Sequence, residues 1–74
     1  MADGARLVGD WIARVRARMA DLGLTQAELE HRAGLSEGHL GAVLRRRRAN
    51  PTLETALCID DALTRAEAES IHRE

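Results

Sequence analysis

Residues 23–44 read Gly23-Leu24-Thr25-Gln26-Ala27-Glu28-Leu29-Glu30-His31-Arg32-Ala33-Gly34-Leu35-Ser36-Glu37-Gly38-His39-Leu40-Gly41-Ala42-Val43-Leu44, and their punctuation decides the fold. Thr25-Gln26-Ala27-Glu28 has the form of a capping box. The threonine hydroxyl and the glutamate carboxylate each satisfy an amide left without a partner at a helix start. That helix runs to about Ala33, where Gly34 closes it and Leu35 turns inward. Ser36 then stands where it can cap a further helix through Leu40, Val43 and Leu44. The result is two short helices joined by about three residues.

The same helical period extends outward in both directions. Upstream, Val8, Ile12, Val15, Met19 and Leu22 recur at spacings of four and three over roughly Ala5 to Leu22, with Leu7 and Trp11 widening the stripe. Gly23 ends this helix. Downstream, Asn50-Pro51-Thr52 makes a turn and a cap for a fourth helix, in which Leu53, Ala56, Leu57 and either Ile59 or Leu63 are expected to face inward. Thr64-Arg65-Ala66-Glu67 repeats the capping-box form and predicts a short, polar fifth helix. No stretch alternates with a period of two over strand length. The fold class expected is therefore all-α, a compact bundle of five helices in one domain over residues 1–74. Its central helix pair spans about 25–45, and its fourth and fifth helices lie within about 52–72.

A chain of 74 residues builds one core, which excludes a two-domain enzyme with a cofactor crevice between lobes. Hydrophobic residues at 45% and charged residues at 31% are a globular balance. The single Trp, with no Tyr or Phe, essentially excludes an aromatic platform on which successive unpaired bases stack. One Cys closes no internal disulfide. No apolar run approaches the ~20 residues of a bilayer span, and Met1-Ala2-Asp3-Gly4 does not begin a signal peptide. The expectation is a cytoplasmic protein with no membrane partner. All eleven basic residues are Arg, a bias that suggests GC-rich coding and a bacterial or phage source.

The net charge of −1 conceals an asymmetry. Residues 1–50 hold nine Arg against six acids, whereas residues 51–74 hold two Arg against six acids. A basic body and an acidic end suit opposite duties, one facing an anion and one facing away.

Two short helices joined by a tight glycine-containing turn form the helix-turn-helix unit, whose second helix can enter the major groove of DNA. Gly23-Leu24-Thr25-Gln26-Ala27-Glu28-Leu29, Ala33-Gly34-Leu35-Ser36 and Asn50-Pro51-Thr52-Leu53-Glu54-Thr55-Ala56-Leu57 together resemble the Cro/CI-type (XRE-like) helix-turn-helix family. The resemblance covers about residues 7–63. It implies the five-helix, lambda-repressor-like fold and a bacterial or phage transcriptional regulator, commonly a dimeric repressor, with some antitoxins in the same family.

The resemblance also implies site residues. Gln26 occupies the position where the family bonds a DNA phosphate, at a helix N-terminus that itself attracts anions. The base-reading positions fall on Ser36, Glu37, Gly38, His39 and Ala42. As a reading head this set is thin. Gly38 and Ala42 offer no hydrogen bond and at most meet a thymine methyl, and Glu37 accepts only from cytosine. His39 can donate to phosphate or base. Arg45, Arg46, Arg47 and Arg48 lie beside the groove in the family's docking geometry, where they neutralise phosphates or reach guanine O6 and N7. If the helix continues through them, successive positions are ~100° apart, so two or three of the four are expected to face one ligand. A solvated basic collar complementing a helix C-terminus is the bland alternative.

Three departures from the family pattern carry expectations of their own. An Arg late in the first helix and a Glu ending the third are frequent in the family; here both are apolar, Met19 and Leu44. Exchanging both partners leaves no charge buried alone, so these side chains are expected to touch. Glu30 stands where the family usually has a small Ala, against close packing of the second and third helices, and Gly41 is a candidate for relieving the crowding. Arg46 replaces the usual Gly after the third helix, in a loop about one residue longer than is common. The third helix is accordingly expected to run on, since the alternative is a costly left-handed Arg. Gly38 and Gly41, each costing roughly 1 kcal/mol of helix propensity, make it the softest element.

The remaining side chains read as structural. Trp11 belongs on the core stripe, Cys58 is expected to be a small buried hydrophobe, and His31, His39 and His72 have no metal-ligand spacing. Asp60, Asp61, Glu67 and Glu69 read as an acidic surface. No Gly-rich phosphate loop, nucleophile elbow or paired catalytic carboxylate occurs, so neither enzymatic activity nor a cofactor is expected. Ala66, Ala68 and Ile71 offer an apolar surface through which a homodimer can present two reading helices to successive major grooves. The expected function is sequence-specific binding of double-stranded DNA by a dimeric repressor at an inverted repeat. A helix-turn-helix body that binds a protein partner, as an antitoxin or polymerase adaptor does, is the alternative from another class, and nonspecific DNA binding lies between them.

Overall fold

The computed structural model of the protein describes residues 3–45 and 52–72, and side chains over 6–45 and 52–71. Four α-helices occur in these residues: α1 (Asp3–Leu22), α2 (Gln26–Ala33), α3 (His39–Leu44) and α4 (Leu53–His72). No strand occurs among them. The all-α class holds, with four helices in place of the expected five.

Local chemistry sets most of the ends. In α1 and α2 alike the chain stops on a glycine followed by an inward leucine. The Leu24 amide donates to the Met19 carbonyl (3.0 Å) and the Leu35 amide to that of Glu30 (2.9 Å). These bonds occupy carbonyls that the last helical turn leaves open. Both leucines pack against the core. The capping box at the start of α2 is complete: the Glu28 amide donates to Thr25 Oγ1 (3.1 Å) and the Thr25 amide to Glu28 Oε1 (2.9 Å). Thr52 caps α4 by accepting from the Thr55 amide (3.1 Å), and its hydroxyl donates to that of buried Thr55 (2.9 Å).

The missing boundary lies in α4. No Gly or Pro interrupts Leu53–His72, and the two side chains expected to cap a fifth helix are engaged elsewhere. Arg18 of α1 donates to Thr64 Oγ1 (3.3 Å) and makes a two-pronged pair with Glu67 (2.9 and 2.8 Å). With both drawn sideways, nothing competes with the helical hydrogen bonds, and the helix continues. Trp11 Nε1 donates to Asp60 Oδ1 (3.2 Å) at the same sequence offset as the Arg18–Glu67 pair, so α1 and α4 run side by side in one direction. Arg32 of α2 grips Glu69 (3.2 and 3.1 Å). The acids of the C-terminal helix thus consume arginines of the basic body.

Ile12, Val15 and Met19 of α1, Leu29 of α2, Leu40 and Leu44 of α3, and Ile59, Ala62 and Leu63 of α4 form one core cluster. Met19 and Leu44, at the positions where the family carries an ion pair, are both buried within it. The inward face of α4 differs from the expectation. Thr55, Ile59, Ala62, Leu63 and Ala66 are buried, and Leu53 and Leu57 are exposed. At ~100° per residue Leu57 lies about 200° round from Ile59, so both cannot face one core, and Ile59 wins by pairing with Leu63 one turn on. Leu7 is exposed as well, because the α1 stripe is narrower than its apolar residues. Trp11 is half-buried against the core, and Cys58 is partly rather than fully buried.

The ion pairs give stability a pH dependence. Arg18 holds the Glu67 carboxyl below its usual range, and the Thr25 amide and hydroxyl hold that of Glu28 below it. A carboxyl depressed in the folded state contributes stability above its unfolded titration near 4.5, and that contribution is lost as pH falls through the lower folded value. Thermal midpoints measured across this acid limb are expected to fall less steeply in Glu67→Gln than in the wild type. Identical limbs would mean that the pair does not persist in solution.

Candidate nucleic-acid interface

α2 begins at Gln26, directly after its Thr25 cap. The box occupies the Glu28 amide, and the Leu29 amide donates to the Thr25 carbonyl (3.0 Å). Helix geometry leaves the amides of Gln26 and Ala27 without intrahelical acceptors and pointing outward, which is the arrangement that attracts an anion. The Gln26 side chain lies half-buried against α3.

α3 starts later than Ser36 predicts. Ser36 is exposed and does not cap the helix; its carbonyl accepts from the His39 amide (3.0 Å), closing a turn over residues 36–39. Gly38 is the N-cap, at φ +84°, and makes no side-chain cap bond. That conformation favours glycine for want of a Cβ, so Gly38 serves the turn and does not weaken the helix interior. The cap comes instead from α2. The carboxylate of Glu30, only 6% exposed, accepts from the Leu40 amide at 2.9 Å. Glu30 therefore joins the second and third helices where its bulk had been expected to part them.

Ser36, Glu37, Gly38, His39 and Ala42 line one open depression on the surface. The five positions read from the sequence as a base-reading set are brought together by the turn and the first turn of α3. His39 also borders a second depression with Glu54 and Cys58. Gly41 is buried, and its bare Cα faces Gln26 and Arg45. A Cβ there would stand 3.1 Å from Gln26 Oε1 and 3.2 Å from Arg45 Nη2. The glycine thus makes room for the amide and the guanidinium on one face of α3, and the crowding it relieves involves Gln26 and Arg45 rather than Glu30.

Arg45 is exposed at the C-cap of α3, its amide donating to the Gly41 carbonyl (3.0 Å). α3 ends at Leu44 with Arg45 as its C-cap, so it does not run on as expected: the chain leaves helical conformation at Arg45, before Arg46 is reached. Arg46, on which the expectation of a longer helix rests, lies outside the described residues, as do Arg47 and Arg48. Arg16 of α1, not singled out in the sequence, reaches the end of the same helix, with Nη2 donating to the Leu44 carbonyl (3.4 Å). The signal for Glu30 was its departure from the family's small residue; for Arg16 the sequence carried none.

Among the described residues no group of three or more His, Cys, Asp or Glu side chains is placed to hold a metal ion, and no helix is long and apolar enough to cross a membrane. Neither a curated protein nor a solved structure gives a significant match to the chain. A family model described as helix-turn-helix matches residues 15–67, from the middle of α1 to the last third of α4. Spanning more than two thirds of the sequence and containing the whole α2–turn–α3 unit, that match establishes that the chain belongs to the Cro/CI-type (XRE-like) helix-turn-helix family of DNA-binding transcription regulators.

Proposed function

We propose that the protein is a sequence-specific repressor of bacterial or phage origin. It inserts α3 into the major groove of double-stranded DNA and acts as a homodimer on an inverted repeat. The observation that carries this reading is the single depression lined by Ser36, Glu37, Gly38, His39 and Ala42, with Gln26 and Arg45 both lying against Gly41, the residue next to Ala42. In the groove, His39 and Ser36 donate or accept at base edges, Ala42 and Gly38 permit close approach to a thymine methyl, and Glu37 favours a cytosine N4. Gln26 and the outward amides of α2 hold one phosphate. Arg45 to Arg48 supply the salt-dependent part of the affinity. Repression follows from occlusion of polymerase.

Two such helices reach successive grooves only from a dimer. Of the three apolar residues expected to offer the pairing surface, Ala66 is buried in the core, which leaves Ala68 and Ile71 exposed on α4. Ile71, 76% exposed, is the larger of the two.

Selection of bound duplexes from a random DNA pool at physiological salt tests the reading without a known operator. The expected product is an inverted repeat with half-site centres about 10 bp apart. Retention without enrichment would reduce the function to nonspecific binding through the arginine run. No retention would point to a protein partner for the same surface.

A further inference from the structure

α3 has six residues, too few to be stable alone. It carries no acid in its first turn, no base in its last turn and no side-chain cap of its own. Each missing charge arrives from a neighbouring helix. Glu30 of α2 places a buried carboxylate on the Leu40 amide (2.9 Å), and Arg16 of α1 places a guanidinium on the Leu44 carbonyl (3.4 Å). The signs match the helix dipole, negative at the N-terminus and positive at the C-terminus, and the bond from the amide to the carboxylate is charge-assisted. We propose that Glu30 and Arg16 are positioning residues which clamp α3 at both ends and so set the register in which its exposed face meets DNA. The functional half of this inference rests on the reading of α3 as the reading helix.

The clamp explains how a chain with Gly38 at its cap and Gly41 in its interior keeps a defined recognition helix. The turn over residues 36–39 needs glycine at φ +84°, and that residue has no side chain with which to cap. Glu30 supplies the acceptor from outside the turn, so Ser36 and Glu37 stay exposed. Arg16 differs in kind. Its side chain is exposed and its bond longer, so it restrains the C-terminal turn more weakly.

Two measurements on the full chain test the clamp. The first is amide hydrogen exchange without DNA, comparing Leu40 in α3 with Leu29 and Ile59 in the core. Glu30→Ala is expected to speed exchange at Leu40 about tenfold or more relative to those reference amides. Glu30→Gln, which keeps an oxygen acceptor, is expected to stay within about threefold of the wild type. Arg16→Gln leaves the core intact and is expected to speed exchange at Arg45, whose amide ends the helix, by roughly threefold. The second is the ratio of affinities for the duplex enriched from the pool and for a scrambled duplex. That ratio is expected to fall about tenfold in Glu30→Ala while affinity for the scrambled duplex holds or rises, because a negative charge has gone. It is expected to be largely retained in Glu30→Gln.

Unchanged exchange at Leu40 in Glu30→Ala would overturn the clamp, and so would equal acceleration at Leu29 and Ile59, the mark of general destabilisation. An intact clamp with an unaltered affinity ratio would overturn its part in reading DNA. If no duplex is enriched, the functional reading fails, and exchange still decides the clamp.

Discussion

Leu63→Ala is expected to lower stability by about 2–5 kcal/mol, whereas Leu53→Ala, in the same helix, is expected to change it by no more than about 0.5 kcal/mol. Leu63 is fully buried in the core cluster beside Ile59 and Ala62, and Leu53 is 75% exposed. Truncating Leu63 removes apolar atoms from the interior and leaves a cavity that a packed cluster closes only in part. In a domain of this size each kcal/mol moves the Tm by about 4–8 °C, and total stability is small because a short chain buries a modest fraction of its surface. Leu63→Ala therefore takes a large share of the total and is expected to be partly unfolded at growth temperature. Thermal denaturation followed by circular dichroism measures both variants. Comparable losses at the two leucines would mean that α4 presents a different face to the core, and the arrangement of Arg18 against Thr64 and Glu67 would fall with it.

The second large effect concerns binding. Replacing Arg45, Arg46, Arg47 and Arg48 together by Gln is expected to reduce affinity for duplex DNA roughly 100-fold at physiological salt. The slope of log affinity against log salt is expected to flatten by about 2–3 for each chain. Each phosphate neutralised by an arginine releases a condensed counterion, so the slope counts contacts, and two or three of the four arginines are expected to make them. Arg45 is exposed at the end of α3 and lies outside the core cluster. Its loss is expected to leave the Tm nearly unchanged. Titration of a labelled duplex at several salt concentrations supplies the slope. A slope equal to that of the wild type would make the run a solvated collar and favour a protein partner. Conversely, a flattened slope with unchanged sequence preference would separate the two contributions, arginines holding the backbone and the Ser36–Ala42 surface reading bases.

How much of this was legible beforehand follows from the range of the interactions concerned. The ends of α1 and α2 and the start of α4 depend on side chains within a few residues of the backbone they cap, and a short window of sequence contains all the participants. Thr25 with Glu28, Gly34 with Leu35, and Thr52 before Leu53 were readable for that reason. The same locality brought Ser36, Glu37, Gly38, His39 and Ala42 onto one surface, since a turn and one helical turn span them.

By itself, then, the sequence determined an all-helical chain, the two short helices with the glycine turn between them, and the family. Each rests on hydrogen bonds or periodicities closed within a few residues. The tertiary structure alone decided three things. Thr64 and Glu67 look like a cap until Arg18, more than forty residues earlier, takes both of them and leaves α4 unbroken. Leu53, Leu57, Ile59 and Leu63 are equally apolar, and which of them enter the core depends on how α4 rotates against α1 and α2. Glu30 on a short amphipathic helix reads as an intrusion until the Leu40 amide, ten residues on, stands 2.9 Å from its carboxylate. In each case the partner is remote in sequence, and a side chain that can bond in several ways takes the bond that packing brings within reach.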